Sequence, residues 1–64
     1  MKLERLQNLR TQAGLTRREL ARRSGVSVHR IGQLERGETG ASLHTVERLS
    51  EALEMPAREL LKGE

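Results

Sequence analysis

The chain has 64 residues with no cysteine and no aromatic side chain, a composition that excludes disulfides, thiolate metal sites and the aromatic stacking used by single-strand and RNA-binding modules. No apolar run approaches the ~20 residues of a membrane span and no signal peptide is visible, so we expect one cytoplasmic domain over residues 1–64. The charge is unevenly spread, because residues 1–36 hold nine Lys and Arg against three Glu while residues 37–64 hold three against six, and the basic part favours binding to a polyanion.

Leucines at helical spacing predict a first helix over residues 2–13, with Gly14 as its stop. Thr16 is a residue type that caps helix N-termini, and Glu19 three residues later completes a capping box. A second helix is therefore predicted to begin at Thr16 and to end near Ser24.

A third helix is predicted to follow closely, capped by Ser27 and running to residue 35 or 36. Gly25 lies between the two helices, where a left-handed backbone conformation costs least. The inward-facing side chains on the two helices are Leu20, Ala21, Ile31 and Leu34. This pattern predicts a helix-turn-helix, whose second helix can enter the major groove of DNA. The alternative is that the arginines of this region only solvate helix faces.

A fourth helix is predicted after the cap residue Ser42, and Pro56 suits the first turn of a short fifth helix that includes Leu60 and Leu61. No segment alternates with period two, so the predicted fold class is all-α, with five helices. The predicted core residues are Leu6, Leu9, Leu15, Leu20, Ala21, Val26, Ile31, Leu34, Val46, Leu49, Leu53 and Leu60.

These motifs, in this order and at this spacing, resemble the lambda-repressor/Cro-like helix-turn-helix proteins over nearly the whole chain. The elements that carry the resemblance are Ala13-Gly14-Leu15, Thr16-x-x-Glu19-Leu20-Ala21, Gly25-Val26-Ser27, Ile31-x-x-Leu34-Glu35-Arg36-Gly37 and Glu59-Leu60-Leu61. The resemblance implies a compact five-helix domain that binds double-stranded operator DNA as a dimer and regulates transcription, as a repressor encoded by a bacterium or a phage. The chain departs from the family pattern at Arg17, where Gln is frequent, at Gly32 inside the third helix, and at Glu54, where Gly is frequent.

The resemblance also implies which residues read base edges, at the start and on the outer face of the third helix. They are Val28, His29, Gly32 and Gln33. Gln33 can bind adenine N6 and N7, Val28 can contact a thymine methyl group, and His29 can donate to guanine N7 or to a phosphate. Gly32 has no side chain and would let the helix backbone approach the groove floor. The alternative is a plain solvated helix face.

Contacts to the DNA backbone are expected around this face, where they fix the register without reading sequence. The residues expected to make them are Thr16, Arg17, Ser27, Arg30, Arg36 and Thr39. The alternative for Arg17 is a contact with a base edge in place of a phosphate, because it is expected close to the third helix. The resemblance further implies a structural ion pair between Arg10 and Glu35. The alternative for that pair is two unrelated surface charges.

A homodimer that DNA strengthens is expected, because one such domain contacts too few base pairs to distinguish its site from competing genomic sites. Leu43, Met55 and Leu61 are the candidate contact residues, since a core this small does not need all of them. The alternative function is a protein-interaction module, such as an antitoxin-like domain, that holds a protein partner through the fourth and fifth helices. Gln33 and His29, flanked by arginines, favour the DNA-binding interpretation.

Neither catalysis nor metal binding is expected. The two histidines lie on different predicted helices without a cysteine or carboxylate pattern, and a structural zinc site needs four ligands. Ser27 and Ser42 are accounted for as helix caps. The sequence therefore predicts a protein that is not an enzyme and that has no cofactor and no metal.

Overall fold

Five α-helices and no strand make up residues 1–62, which are the part of the chain that the computed structural model describes. The helices are α1 (Leu6–Gln12), α2 (Arg17–Ser24), α3 (Val28–Glu35), α4 (Leu43–Ala52) and α5 (Ala57–Leu61). The predicted all-α fold with five helices is confirmed. None of these helices is long and apolar enough to cross a membrane.

Side-chain caps explain where α2, α3 and α4 begin. The Thr16 hydroxyl accepts a hydrogen bond from the Glu19 backbone N–H at 3.0 Å, and the Thr16 N–H donates to the Glu19 carboxylate at 2.8 Å, which is a complete capping box. Ser27 and Ser42 each accept from the backbone N–H three residues on, at 3.1 and 3.2 Å. The starts of α2, α3 and α4 therefore coincide with the caps that the sequence predicts.

The predicted start of the first helix at residue 2 is wrong, because α1 begins only at Leu6. Arg5 occupies its N-cap position and makes no capping hydrogen bond. Leu3 nevertheless has only 2% of its surface exposed. The backbone N and O of Met1 both hydrogen-bond Ala41, at 2.9 and 2.7 Å, and hold this segment against the core in a non-helical conformation.

The link between α4 and α5 is built on an uncommon backbone conformation at Glu54, whose φ is +56°. That region is disfavoured for any residue with a Cβ. Pro56 then lies at the N-cap of α5. The sequence had indicated a position inside the first turn of that helix. The tight link lets α5 pack back against α4.

The core is aliphatic and mostly leucine. Every predicted core residue except Ala21 is buried, and Ala21 is half-buried and packs against the core from the side. Leu3 and Ala41 are buried as well, although the sequence did not predict them. The buried apolar residues are Leu3, Leu6, Leu9, Leu15, Leu20, Val26, Ile31, Leu34, Ala41, Val46, Leu49, Leu53 and Leu60.

Candidate nucleic-acid interface

The turn between α2 and α3 is fixed by backbone geometry and by one side chain. Gly25 adopts φ +77°, and its N–H donates to the Ala21 carbonyl at 2.9 Å. The buried Ser24 hydroxyl accepts from the Val26 N–H at 3.1 Å. With α2 packed against α3 on the core side, the opposite face of α3 is left open to solvent.

That open face carries three of the four residues predicted to read bases. Val28 has 43% of its surface exposed, His29 is exposed and Gln33 is half-buried. His29 and Gln33 are four residues apart and lie on one side of α3, and Val28 begins the helix next to His29. Together the three side chains offer an apolar contact, an imidazole and a carboxamide, which is a mixed set suited to base edges in the major groove.

Gly32, the fourth predicted base reader, is buried and not open to solvent. Two guanidinium groups lie over it. Arg36 Nη1 is 3.0 Å and Arg17 Nη1 is 3.7 Å from the position that a Cβ at Gly32 would occupy. The missing side chain thus makes room for two arginines on the surface of α3. The sequence had instead suggested that the bare backbone at Gly32 approaches the groove floor.

The ends of α1 and α3 are joined by Arg10 and Glu35. Arg10 Nε donates to Glu35 Oε2 at 2.6 Å, and Arg10 Nη2 lies 3.3 Å from Oε1. The third donor of Arg10, Nη1, bonds the Leu15 carbonyl at 2.8 Å, which explains how this arginine can be 9% exposed. The structure therefore brings together the two residues for which the resemblance implied an ion pair.

A second arginine reaches the same carboxylate. Arg17 Nε donates to Glu35 Oε1 at 2.8 Å, and the Glu35 side chain has no exposed surface while that of Arg17 is 38% exposed. Burial by itself would raise the pKa of Glu35, but the hydrogen bonds from Arg10 and Arg17 outweigh it and hold the pKa below its ordinary value. The cluster Arg10–Glu35–Arg17 is thus an ionised triad with one surplus positive charge.

The sequence did not predict that Arg17 belongs to this triad. It predicted a phosphate contact, because Arg17 stands where the family frequently has a Gln that holds a phosphate or a neighbouring side chain. Nothing local to Arg17 or Glu35 indicates that the start of α2 lies against the end of α3. The two residues are 18 positions apart and come into contact only in the folded chain.

Two of the predicted backbone contacts are hydroxyl groups already used as caps. Thr16 and Ser27 accept hydrogen bonds through Oγ, which leaves each hydroxyl proton able to donate to an external acceptor. The backbone N–H of Thr16 is bonded to Glu19. An anion at the start of α2 would therefore have to compete with that carboxylate.

The remaining predicted backbone contacts lie on α3 and in the loop that follows it. Arg30 is exposed and its Nη2 lies 3.4 Å from the Gly40 carbonyl, which also accepts from the half-buried Thr39 hydroxyl at 3.3 Å. Arg36 Nε donates to Glu38 at 2.7 Å, and the hydrogen bond lowers the pKa of that carboxyl. Both side chains of this pair are about half exposed, at 48% and 51%. Such exposed pairs exchange readily with solvent or with a ligand.

A contact that sequence reasoning missed connects α4 to the turn. Arg48 Nη1 donates to the Ser24 carbonyl at the end of α2, at 3.1 Å, and Arg48 Nε donates to His44 Nε2, also at 3.1 Å. A cation at a helix C-terminus is favoured by the helix dipole. The i, i+4 spacing of His44 and Arg48 could have indicated their own contact, but not the contact with Ser24.

The three candidate dimer residues do not share one environment. Leu43 and Leu61 have 55% and 39% of their surface exposed. Met55 is half-buried and packs against the core. Two of the three are therefore open on the side of α4 and α5, and the third contributes to the fold.

Within residues 1–62 no group of three or more His, Cys, Asp or Glu side chains could hold a metal ion. The buried polar side-chain atoms of these residues all have hydrogen-bond partners. The charged groups of the interface are therefore either paired with each other or exposed.

Comparison with known proteins places this architecture in a family. The model of the helix-turn-helix family matches residues 6–60. The chain belongs to the helix-turn-helix family. Its match includes all five helices apart from the last residue of α5, and the resemblance inferred from the sequence is confirmed.

Two relatives of this helix-turn-helix chain show how far the similarity extends. The HTH-type transcriptional regulator DdrOP3 from Deinococcus deserti is 39% identical over 64 residues, which cover 98% of this chain and 50% of that protein. This chain thus spans about half the length of that relative. The restriction-modification controller protein C.AhdI from Aeromonas hydrophila has a crystal structure that matches with a TM-score of 0.85 at 40% identity, over 89% of this chain and 86% of that one. These relatives are named as a regulator and a controller, which agrees with the prediction of a protein that is not an enzyme.

Proposed function

We propose that this chain is a sequence-specific double-stranded-DNA-binding transcriptional regulator that acts as a repressor. The observation that carries the proposal is the open face of α3, which carries Val28, His29 and Gln33 beside a turn fixed by Gly25. A helix presented in this way fits the major groove, where each base pair has its own donor and acceptor pattern. Family membership and the names of the two relatives support the proposal. Such a regulator works in the cytoplasm, where bacterial or phage DNA lies.

In this proposal the surface divides into groups that read sequence and groups that fix the register. Val28, His29 and Gln33 meet base edges. The phosphate contacts are made by Thr16, Ser27, Arg30, Arg36 and Thr39. Exchanging the exposed Arg36–Glu38 pair for a phosphate costs little, because exposed ion pairs contribute little to stability. Arg18, Arg22 and Arg23 add long-range attraction.

We also propose that the regulator binds a two-fold operator as a homodimer. The Cα atoms of residues 1–62 extend 23 × 22 × 20 Å, which is less than the roughly 34 Å of one turn of B-DNA. One copy can therefore engage one half-site only. Leu43 on α4 and Leu61 on α5 each expose an apolar side chain through which two copies can meet. The small apolar area that these two residues offer favours a dimer that DNA strengthens.

The experiment that tests the function is selection of bound duplexes from a random library, followed by affinity measurements over a salt series. We expect enrichment of one two-fold symmetric sequence. Its affinity should exceed that for random duplex by about 10³-fold or more, and both affinities should fall with rising salt. A chain that binds duplexes but enriches no sequence, or that binds no duplex, would contradict the proposal and favour a protein-interaction module.

A further inference from the structure

Arg17 is held more firmly than a phosphate-binding side chain needs to be. Its Nε is bonded to Glu35, whose side chain is fully buried and is fixed from the other side by Arg10. Arg10 is in turn fixed by the Leu15 carbonyl. The guanidinium of Arg17 therefore has its orientation set by the fold before any ligand arrives, and the entropy cost of ordering it falls on folding and not on binding.

The way in which Arg17 is held leaves its outer edge available. Glu35 occupies Nε only, and within residues 1–62 no hydrogen bond from Nη1 or Nη2 of Arg17 to the protein is formed. Those two nitrogens make a planar fork of donors. Such a fork matches the O6 and N7 acceptors of guanine in the major groove. It can also bind the oxygens of a phosphate.

The Arg17 guanidinium lies over the surface of α3. Arg17 Nη1 lies 3.7 Å from the position that a Cβ at Gly32 would occupy. Gly32 is four residues after Val28 and three after His29, so it lies on the same face of α3 as these two residues. Arg17 thus places a side chain from α2 where α3 has none.

We propose that Arg17 is a base-reading residue that binds guanine through Nη1 and Nη2, positioned by Glu35 over the side-chain-free surface at Gly32. The inference rests on the proposed function, and it replaces the phosphate contact that the sequence suggested for Arg17. Arg36 is the natural comparison, because its guanidinium also lies over Gly32 but is tied to Glu38, a half-exposed carboxylate. Because this pair is exposed, Arg36 can exchange Glu38 for a phosphate and remains a phosphate contact.

The test compares the wild-type chain with Arg17→Lys in selections from random duplexes. Lysine keeps the charge but has no planar fork. We expect the wild-type chain to require a G·C pair at one position of each half-site, and Arg17→Lys to lose that preference by about ten- to a hundredfold. Affinity for random duplex and the dependence on salt should stay unchanged. Arg5→Lys is the matched control, because Arg5 pairs with Glu59 and is not part of the proposed interface, and this variant should select the wild-type sequence.

A second measurement uses the wild-type chain alone and so does not depend on how the variant folds. The guanine in question is replaced by 7-deazaguanine, which lacks N7, or by inosine, which keeps N7 and O6 and lacks only the minor-groove amino group. We expect 7-deazaguanine to weaken binding by about tenfold or more and inosine to leave it unchanged.

Each of two results would overturn the inference while leaving the proposed function intact. One is a sequence preference of Arg17→Lys identical to that of the wild-type chain. The other is an equal loss of affinity for all duplexes in Arg17→Ala, with a salt dependence reduced by about one unit, which would mark a phosphate contact. A wild-type chain that selects no sequence would overturn the proposed function itself, and the inference with it.

Discussion

Residues only two positions apart on α3 have different tasks. The Gln33 side chain is half-buried on the face that is open to solvent, whereas the Glu35 carboxylate is fully buried between two arginines. A substitution at Gln33 should therefore change DNA binding and leave folding nearly unaffected. A substitution at Glu35 should act first on the free energy of unfolding.

Gln33→Ala is expected to relax the preference for one base pair in each half-site. The carboxamide can satisfy a donor and an acceptor of adenine at once, and losing such a pair costs about 1–3 kcal/mol of discrimination. Binding to random duplex should hardly change, because the carboxamide carries no charge. Fluorescence anisotropy on the selected duplex and on random duplex measures both. Equal losses on the two would show that Gln33 does not read a base.

The unfolding free energy is expected to depend on pH through Glu35. Because the pKa of Glu35 is lowered in the folded chain by Arg10 and Arg17, its contribution is present above its unfolded pKa of about 4.5 and is lost as the pH falls through the lower folded value. Glu35→Gln should cost about 3 kcal/mol at pH 7 and should flatten the loss of stability in acid. Urea unfolding from pH 7 to pH 3 measures this.

Glu38→Gln provides the control for that measurement. Glu38 also has a lowered pKa, owing first to its hydrogen bond from Arg36, but its side chain is 51% exposed. Its removal should leave the unfolding free energy nearly unchanged. If both variants had the same pH dependence, the buried triad would not be the source of the acid sensitivity.

At the scale of the elements, the link after α4 contains a correctable strain. Glu54 adopts φ +56°, which costs an L-residue roughly 1–2 kcal/mol and costs glycine almost nothing. Glu54→Gly should therefore raise the unfolding free energy by about 0.5–1 kcal/mol once the greater flexibility of glycine in the unfolded chain is included. Glu51→Gly removes the same charge inside α4 and should lower stability by about 1 kcal/mol. Thermal unfolding of the two variants should shift in opposite directions.

Helix starts that depend on local chemistry could be predicted from the sequence. Thr16, Ser27 and Ser42 lie at the caps that their residue types indicate, because a cap is decided within about four residues of chain. The start of α1 could not be predicted in this way. Leucine spacing continues to Leu3, but this segment is held by Ala41, and only the folded chain brings the two together.

The candidate site divides in the same way. The face of α3 follows from helical spacing once its cap is known, so Val28, His29 and Gln33 could be placed on it. The burial of Gly32 under two arginines and the contact of Arg17 with Glu35 depend on how α2 and α3 cross. No feature within either helix determines that crossing, and these contacts had to come from the structure.

At the scale of the whole molecule, the expected dimer makes a prediction about stoichiometry. Leu43→Glu introduces a charge on the exposed apolar surface of α4, where two copies would meet. We expect this variant to bind a full operator no more tightly than a half-site, because the cooperative contact is lost. Gln12→Glu introduces the same charge at an exposed position of α1 and should retain cooperative binding. Sedimentation of each complex measures the number of chains per duplex.

A wild-type chain that saturates a full operator with one copy, and that binds a half-site equally tightly, would contradict the dimer. That result would not contradict the proposed roles of the α3 residues, because Gln33 acts within one half-site and is tested by its own substitution.

The triad of Arg10, Glu35 and Arg17 has a consequence for how the specificity of such a protein can evolve. Val28, His29 and Gln33 make no contact on which the fold depends, so mutations there can change the preferred operator at little cost in stability. Arg17 differs, because its replacement leaves the buried carboxylate with one partner fewer. A lineage can therefore explore new operators quickly through α3, while the base read by Arg17 changes only together with residue 35 and stays as an inherited part of the operator.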